Sequence, residues 1–319
     1  MEEFRGSAFD RLRALAGESA GASRDPGALL VGLAGRGIQA SRSPIMHERE
    51  GRSLGIPYRY VLIDFDTLGL DDPEIGAVVR AASRLGFAGL NVTHPFKQAV
   101  IPSLDALSPE ADLIGAVNTV VMRDGRSIGH NTDSWGFAES LRQAAPALPI
   151  ERVVLFGAGG AGAAVAHALA QLGAGRLAIV DQDTERAKAL AGRLRGGPAQ
   201  RFEATTEVEA EIARAEGVVN ATPVGMAGHP GTPFPTRFLS AGQWVADIVY
   251  FPERTELLRA AGAIGCRVVP GSGMAVYQAA RAFELFTGIK PSLERLRAAF
   301  DDRSKGHAQF DSDLISHIR

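Results

Sequence analysis

The chain has 319 residues, enough for two domains of ~150 residues each, and its 45% hydrophobic and 22% charged residues exclude a disordered or fibrous protein. A net charge of −2 gives no basic footprint for nucleic acid or an acidic membrane surface, and no apolar run approaches the ~20 residues of a spanning helix. The single cysteine, Cys266, excludes an intrachain disulfide and a multi-cysteine metal cluster and fits a reducing compartment, so the cytoplasm is the expected location.

Residues 1–27 read as an N-terminal extension. Leu12 and Leu15 suit a short helix, and Gly17 to Gly27 is a linker of Gly, Ala, Ser and Pro. The organised chain begins with the apolar run Ala28 to Leu33, a buried strand ending at Gly35. Ser43-Pro44 opens a helix, with Ser43 as N-cap and Pro44 at the first helical position. Tyr58 to Ile63 is a second strand, a helix follows near Glu74 to Leu85, Phe87 to Val92 is a third strand, and Pro95 is predicted to start another helix. Ala116 to Met122, the turn residues Asp124-Gly125, and Ser127-Ile128 form a hairpin. After a helix around Trp135 to Gln143, Pro146 and Pro149 mark a break.

A second series then starts: the strand Val153 to Phe156, a glycine-rich turn, the helix Ala163 to Leu172, and the strand Leu177 to Val180 ending in Asp181. Further strands are expected at Val218-Val219, Trp244 to Val249 and Arg267 to Val269, and a closing helix at Val276 to Phe286. Alternating strands and helices predict an α/β protein with mainly parallel sheets. Two α/β domains are expected: residues 28–132, completed by 271–319, and residues 133–270.

The turn Gly157-Ala158-Gly159-Gly160-Ala161-Gly162 carries G-x-G-x-x-G directly after a strand and at the head of a helix. Glycine suits this place because the backbone turns tightly and approaches a pyrophosphate closely, with helix N–H groups facing the anion. A tight packing turn in an Ala/Gly-rich chain is the plainer alternative. Asp181 stands 19 residues beyond Gly162, where a carboxylate accepts hydrogen bonds from the ribose 2′-hydroxyl of NAD. Asp181 and Asp183 would repel the 2′-phosphate of NADP, with Arg186 the one counterweight, so NAD is favoured. Asp183 is also placed to cap the next helix.

Four polar clusters lie at strand ends of the first domain: Ser41-Arg42-Ser43-Pro44, Gly89 to Lys97, Gly115 to Thr119, and Gly129 to Asp133. Of the 34 basic residues 30 are Arg, leaving only Lys97, Lys188, Lys290 and Lys305. That scarcity makes Lys97 less plausible as a solvated filler. Asp133 alone could equally be a helix N-cap, and Asn118 a turn amide. The seven histidines show no metal-ligand spacing, so no metal is expected.

The segments SRSPIMH, GLNVTHPFK, GAVNT, GHNTD, GAGGAG, NATPVGM, DIVYFPERTELL and GSGMAVYQ, in this order, resemble the shikimate dehydrogenase family from about Leu30 to Phe300, closest to its NAD-preferring quinate/shikimate branch. The resemblance implies a substrate-binding domain joined to a Rossmann NAD-binding domain. It implies Lys97 as the catalytic acid/base, paired with Asp133. Alcohol oxidation sends a hydride to nicotinamide and a proton to a base, which a desolvated lysine can be and an arginine cannot. It further implies Ser41 and Ser43 at the substrate carboxylate, Thr93 and Asn118 at ring hydroxyls, and Tyr250 and Gln278 closing the pocket. Ile248 and Gly271 match the nicotinamide side, and Asn220, Thr222 and Met226 flank the cofactor.

Arg42 departs from the family pattern and leaves shikimate, quinate or an amino analogue open as substrate. A ligand-sensing relative would be expected to lose Lys97 or Asp133, and a glutamyl-tRNA reductase would need an early cysteine nucleophile; Cys266 comes too late. NADP remains a possible cofactor. The expected partners are small molecules, with no nucleic acid or membrane, and the expected state is a monomer or homodimer.

Overall fold

The computed structural model describes residues 7–18, 28–144, 147–194 and 196–302. Helix α1 (Ala8–Glu18) opens it. Ala8 and Leu12 are buried in one apolar cluster with Ile75, Val78 and Val79, and Arg11 Nη1 donates to Gly69 O at 2.6 Å. Residues 8–18 therefore cover the first core instead of standing off as an extension. Their partner surface is some 60 residues away in sequence, where local composition cannot reveal it. The linker residues 19–27 lie outside the described residues.

The first sheet is built from β1 (Leu29–Gly35), α2 (Ser43–Ser53), β2 (Tyr58–Asp64), α3 (Phe65–Leu68), α4 (Ile75–Arg84), β3 (Gly89–Val92), β4 (Ala106–Leu107), α5 (Pro109–Ile114), β5 (Thr119–Arg123) and β6 (Arg126–His130). Its order is β2-β1-β3-β5-β6-β4. β5 runs antiparallel to β3 and β6, and the remaining pairs are parallel. Asp124 and Gly125 take φ of 53° and 71°, the double left-handed turn of a tight hairpin.

Two local expectations change. The residue preceding α2 is Arg42, and Ser43 is already helical; Ser41 Oγ accepts from the Ser43 N–H at 3.3 Å. No helix begins at Pro95. Residues 94–100 form successive turns, because the Lys97 carbonyl accepts from Val117 N–H at 2.7 Å and so is taken by the neighbouring strand segment.

Helix α6 (Asp133–Ala144) leads to the second sheet: β7 (Arg152–Phe156), α7 (Gly160–Leu172), β8 (Arg176–Val180), α8 (Thr184–Arg193), β9 (Arg201–Ala204), α9 (Val208–Arg214), β10 (Gly217–Asn220), β11 (Trp244–Asp247), α10 (Glu256–Ile264) and β12 (Arg267–Val269). All pairs are parallel and the order is β12-β11-β10-β7-β8-β9. This is the doubly wound order, whose switch point between β7 and β10 opens a crevice at the strand C-terminal ends. Of the expected break, Pro149 is described and Pro146 is not. Cys266 is buried beside β12 and serves as packing.

After β12 the chain returns to the first sheet. On α11 (Ser272–Thr287), Phe283 and Phe286 pack with Val31, Tyr58 and Tyr60. On α12 (Leu293–Asp301), Leu296 and Phe300 pack with Met46 of α2. Helices α5, α9, α10 and α12 and the short strands β4 and β9 were not legible in advance, being short or polar. No described helix is long and apolar enough to cross a membrane.

Candidate active site

Lys97 follows β3 and Asp133 begins α6, 36 residues apart, yet Lys97 Nζ stands 2.5 Å from Asp133 Oδ2. Their side chains are 17% and 6% exposed, a largely desolvated pair at a cleft wall. Asp133 does not cap its helix. That work falls to Asn131, whose Oδ1 accepts from the N–H groups of Asp133 at 3.0 Å and Ser134 at 3.2 Å. The Asp133 carboxylate is thereby free to hold the ammonium.

A hydrogen-bonded floor runs beside this pair from Thr132 to Tyr60 on β2. Asn118 is buried, with Oδ1 accepting from Thr132 N–H at 2.8 Å and Nδ2 donating to Thr132 Oγ1 at 2.9 Å. Asn91 Nδ2 donates to Thr119 Oγ1 at 3.0 Å, and Asn91 Oδ1 accepts from the Tyr60 hydroxyl at 2.8 Å. Burial holds the Tyr60 phenol protonated well above the ordinary range, with the Ser43 side chain near enough to oppose it. Tyr250 is 37% exposed and lies within electrostatic reach of Tyr60 and of Asp133; partial burial first, and then the carboxylate, raise its phenol. Sequence reasoning missed Tyr60 and Asn91. Alternation along β2 and β3 could mark them as inward, but not show that they meet.

Ser41 and Thr93 are each half-buried; a Cβ on Gly35 would come within 2.4 Å of the Thr93 methyl. Gln278 packs on α6 beside Gly136, and its amide donates to Ala275 O at 3.0 Å. Arg42 turns away from the serines: its guanidinium donates to Phe300 O at 2.9 Å and to Ala299 O at 3.3 Å, closing the carbonyl end of α12. The departure noted in the sequence is thus a helix-end contact. His47 is fully buried against Tyr58, with burial lowering its pKa to about 3, so it stays neutral in the core.

The glycine turn meets the fit expected of a dinucleotide cradle. Gly157 has φ of 101°, and a Cβ on it would press on Ala221 O at 2.8 Å. A Cβ on Gly162 would stand 2.0 Å from Gly157 O, while nothing lies within 4 Å of Gly159. Only glycine permits this close backbone packing with an open side toward a ligand. Gly160, outside the G-x-G-x-x-G positions, has its own reason: a Cβ there would lie 2.9 Å from Lys97 Cβ. Helix α7 starts at Gly160, three residues earlier than expected. Asp181 Oδ2 accepts from Ala158 N–H at 2.7 Å, and Asp183 caps α8. Thr222 packs on the glycine turn, its methyl 3.1 Å from a Cβ placed on Gly157, and Ile248 and Gly271 follow β11 and β12; a Cβ on Gly271 would lie 2.5 Å from Ile248 O. Asn220, in contrast, is buried and spends its amide on Val224 O, Asp247 and Thr222, shaping the loop. Met226 is exposed.

Beneath this loop Asp247, 1% exposed, accepts from Asn220 Nδ2, Val249 N–H and the Thr255 hydroxyl, and burial raises its pKa from 3.8 to about 6. The folded chain therefore holds this proton more tightly than the unfolded one. Its contribution to stability is fully present below pH 3.8 and is lost as pH rises through about 6. Asp247→Asn keeps an oxygen for Val249 and Asn220 and can turn its amide to Thr255. The difference in unfolding free energy between variant and parent is expected to grow in the variant's favour from about pH 4 to 7, approaching about 3 kcal/mol. A difference that stays flat across that window would contradict the shift.

A doubly wound nucleotide crevice facing a lysine–aspartate pair defines the class of NAD(P)-dependent dehydrogenases. Residues 33–120 match the shikimate dehydrogenase substrate binding domain, residues 271–299 the shikimate 5′-dehydrogenase C-terminal domain, and residues 143–187, around the glycine turn, the ThiF family. The chain is 53% identical over 272 residues to shikimate dehydrogenase (NADP(+)) of Streptomyces avermitilis, covering 84% of this chain and 94% of the relative. It is 48% identical over 276 residues to quinate/shikimate dehydrogenase (NAD(+)) of Corynebacterium efficiens, covering 85% and 97%. The solved quinate dehydrogenase from Corynebacterium glutamicum in complex with NAD superposes with a TM-score of 0.78 at 46% identity, covering 86% of this chain and 98% of that one. The chain belongs to the shikimate dehydrogenase family.

Proposed function

We propose that this protein is an NAD-preferring dehydrogenase interconverting shikimate and 3-dehydroshikimate. The observation that carries the reading is the desolvated Lys97–Asp133 pair, 2.5 Å apart and packed against the cofactor turn at Gly160. Lys97 takes the hydroxyl proton during oxidation and returns it during reduction, while Asp133 orients the ammonium and the substrate hydroxyl. Ser41 and Ser43, at the head of α2, hold the substrate carboxylate, where helix N–H groups favour an anion. Thr93 and Asn118 receive ring hydroxyls, and Tyr250 and Gln278 close the far side. Bound NAD supplies the hydride acceptor. The chain would hold it with Gly157, Ala158, Gly159, Gly160, Ala161, Gly162, Asp181, Thr222, Ile248 and Gly271. Residues 28–132 with the returning helices form the substrate unit in this reading, and 133–270 the cofactor unit. A monomer or homodimer in the cytoplasm fits it.

Quinate oxidation to 3-dehydroquinate is the second reading, favoured by the Corynebacterium relatives, whose names include quinate. Steady-state kinetics with shikimate and quinate, each with NAD and NADP, test both. The highest kcat/KM is expected for shikimate with NAD. A higher value for quinate selects the second reading, and a higher value for NADP defeats the cofactor assignment.

A further inference from the structure

We infer that Asn131 is a positioning residue for proton transfer, through a single peptide plane that ties Lys97 to Asp133. This rests on the reading of those two residues as the proton-transfer pair.

Asn131 is 4% exposed and lies two residues before Asp133. Its Oδ1 accepts from the Asp133 and Ser134 N–H groups, which sets the backbone that carries the Asp133 carboxylate. Its Nδ2 donates to Ala116 O at 2.9 Å. The N–H of that same peptide, Val117 N–H, donates to Lys97 O at 2.7 Å. A peptide unit is planar and stiff, with its oxygen and hydrogen on opposite sides. The Ala116–Val117 plane therefore acts as a strut, with the Asn131 amide at one end and the Lys97 backbone at the other. One side chain thus fixes both members of a pair drawn from segments 36 residues apart.

The cofactor side registers on the same strut. A Cβ on Gly160 would lie 2.9 Å from Lys97 Cβ and 3.4 Å from Ala116 Cβ, so the cofactor turn rests on Lys97 and on the strut itself. Ser134, whose N–H Asn131 also caps, brings its hydroxyl to within 3.2 Å of His167 Nδ1 on α7. Small misplacements of reacting groups are costly in rate even when the groups themselves are intact.

Asn131→Ser separates the two jobs, because serine serves as an N-cap nearly as well as asparagine but has no amide to reach Ala116 O. The expected result is a kcat about tenfold lower or more, KM for shikimate within about threefold, a displaced pH profile of kcat, and a melting temperature near that of the parent. Asn131→Ala, which also loses the cap, should lose kcat at least as far and melt lower. Rates are normalised to the folded fraction measured by circular dichroism, so that unfolding is not read as slow chemistry. Parental kcat and pH profile in the folded Ser variant would overturn the proposal, as would an Ala variant whose folded fraction turns over normally. Lys97→Ala in the same assay separates the two levels. If it is inactive while Asn131→Ser is normal, the positioning role alone fails; if it is active, the proton-transfer reading fails and the proposal with it.

Discussion

Lys97→Ala is expected to lower kcat by about 10²–10⁴-fold while leaving KM for shikimate within a few-fold. The expectation follows from where the ammonium lies. It is held by Asp133 at 2.5 Å in a wall that is largely shut from water, and it faces the crevice at the C-terminal ends of the second sheet. In the proposed reading the serines at α2 and the buried amides and hydroxyls bind the rest of the substrate, so affinity has other sources. Lys97→Arg is the sharper variant. It preserves a positive charge beside Asp133, but a guanidinium stays protonated and cannot accept the hydroxyl proton, so a comparable loss is expected. Electrostatic attraction alone would leave the Arg variant active. Stopped-flow or steady-state measurement with saturating NAD decides it, and near-parental turnover in either variant removes Lys97 from proton transfer.

The second large effect is expected at Asp181. Replacement by Ser should raise the ratio of kcat/KM for NADP over NAD by about 10²-fold, the equivalent of about 2–3 kcal/mol. The carboxylate stands at the end of β8, and Asp183 follows two residues later at the head of α8. Together they place negative charge where a 2′-phosphate would lie. Arg186 is the only cation of this loop, and it is already within 3.8 Å of both carboxylates. Removing Asp181 frees Arg186 for the phosphate and removes a like charge. Ser is preferred to Ala because Asp181 also accepts from Ala158 N–H in the glycine turn, and a hydroxyl can retain part of that support. The relatives are named for either cofactor, so the variant tests a local electrostatic cause, not ancestry. A ratio unmoved by the change would assign cofactor preference elsewhere.

Much of the fold was legible because its signals are local. The apolar runs that form β1, β7 and β8, the Asp124-Gly125 hairpin and the strand–glycine turn–helix each depend on neighbours in sequence. The helix expected at Pro95 failed for a non-local reason: the Lys97 carbonyl pairs with Val117, and no propensity at residues 95–100 reports that bond. The same limit hid where the helix expected at Leu12 and Leu15 would pack, since Leu12 finds its partners on α4. It left Arg42 ambiguous as well, since the carbonyls that receive it belong to α12.

By itself the sequence determined which chemistry the chain carries. Glycines stand where a backbone must approach a phosphate, a carboxylate stands where a ribose would sit, and one of only four lysines appears at a motif in a chain that mostly uses arginine. Residue type and spacing suffice for that, because protonation chemistry and glycine conformation are properties of the residues themselves. Only the tertiary structure decided which groups meet. It brought Lys97 to Asp133 and joined Tyr60 to Thr119 through Asn91. It also relieved Asp133 of capping by giving that task to Asn131. Those encounters depend on strand order and on single long-range hydrogen bonds, which a periodicity read along one segment does not contain.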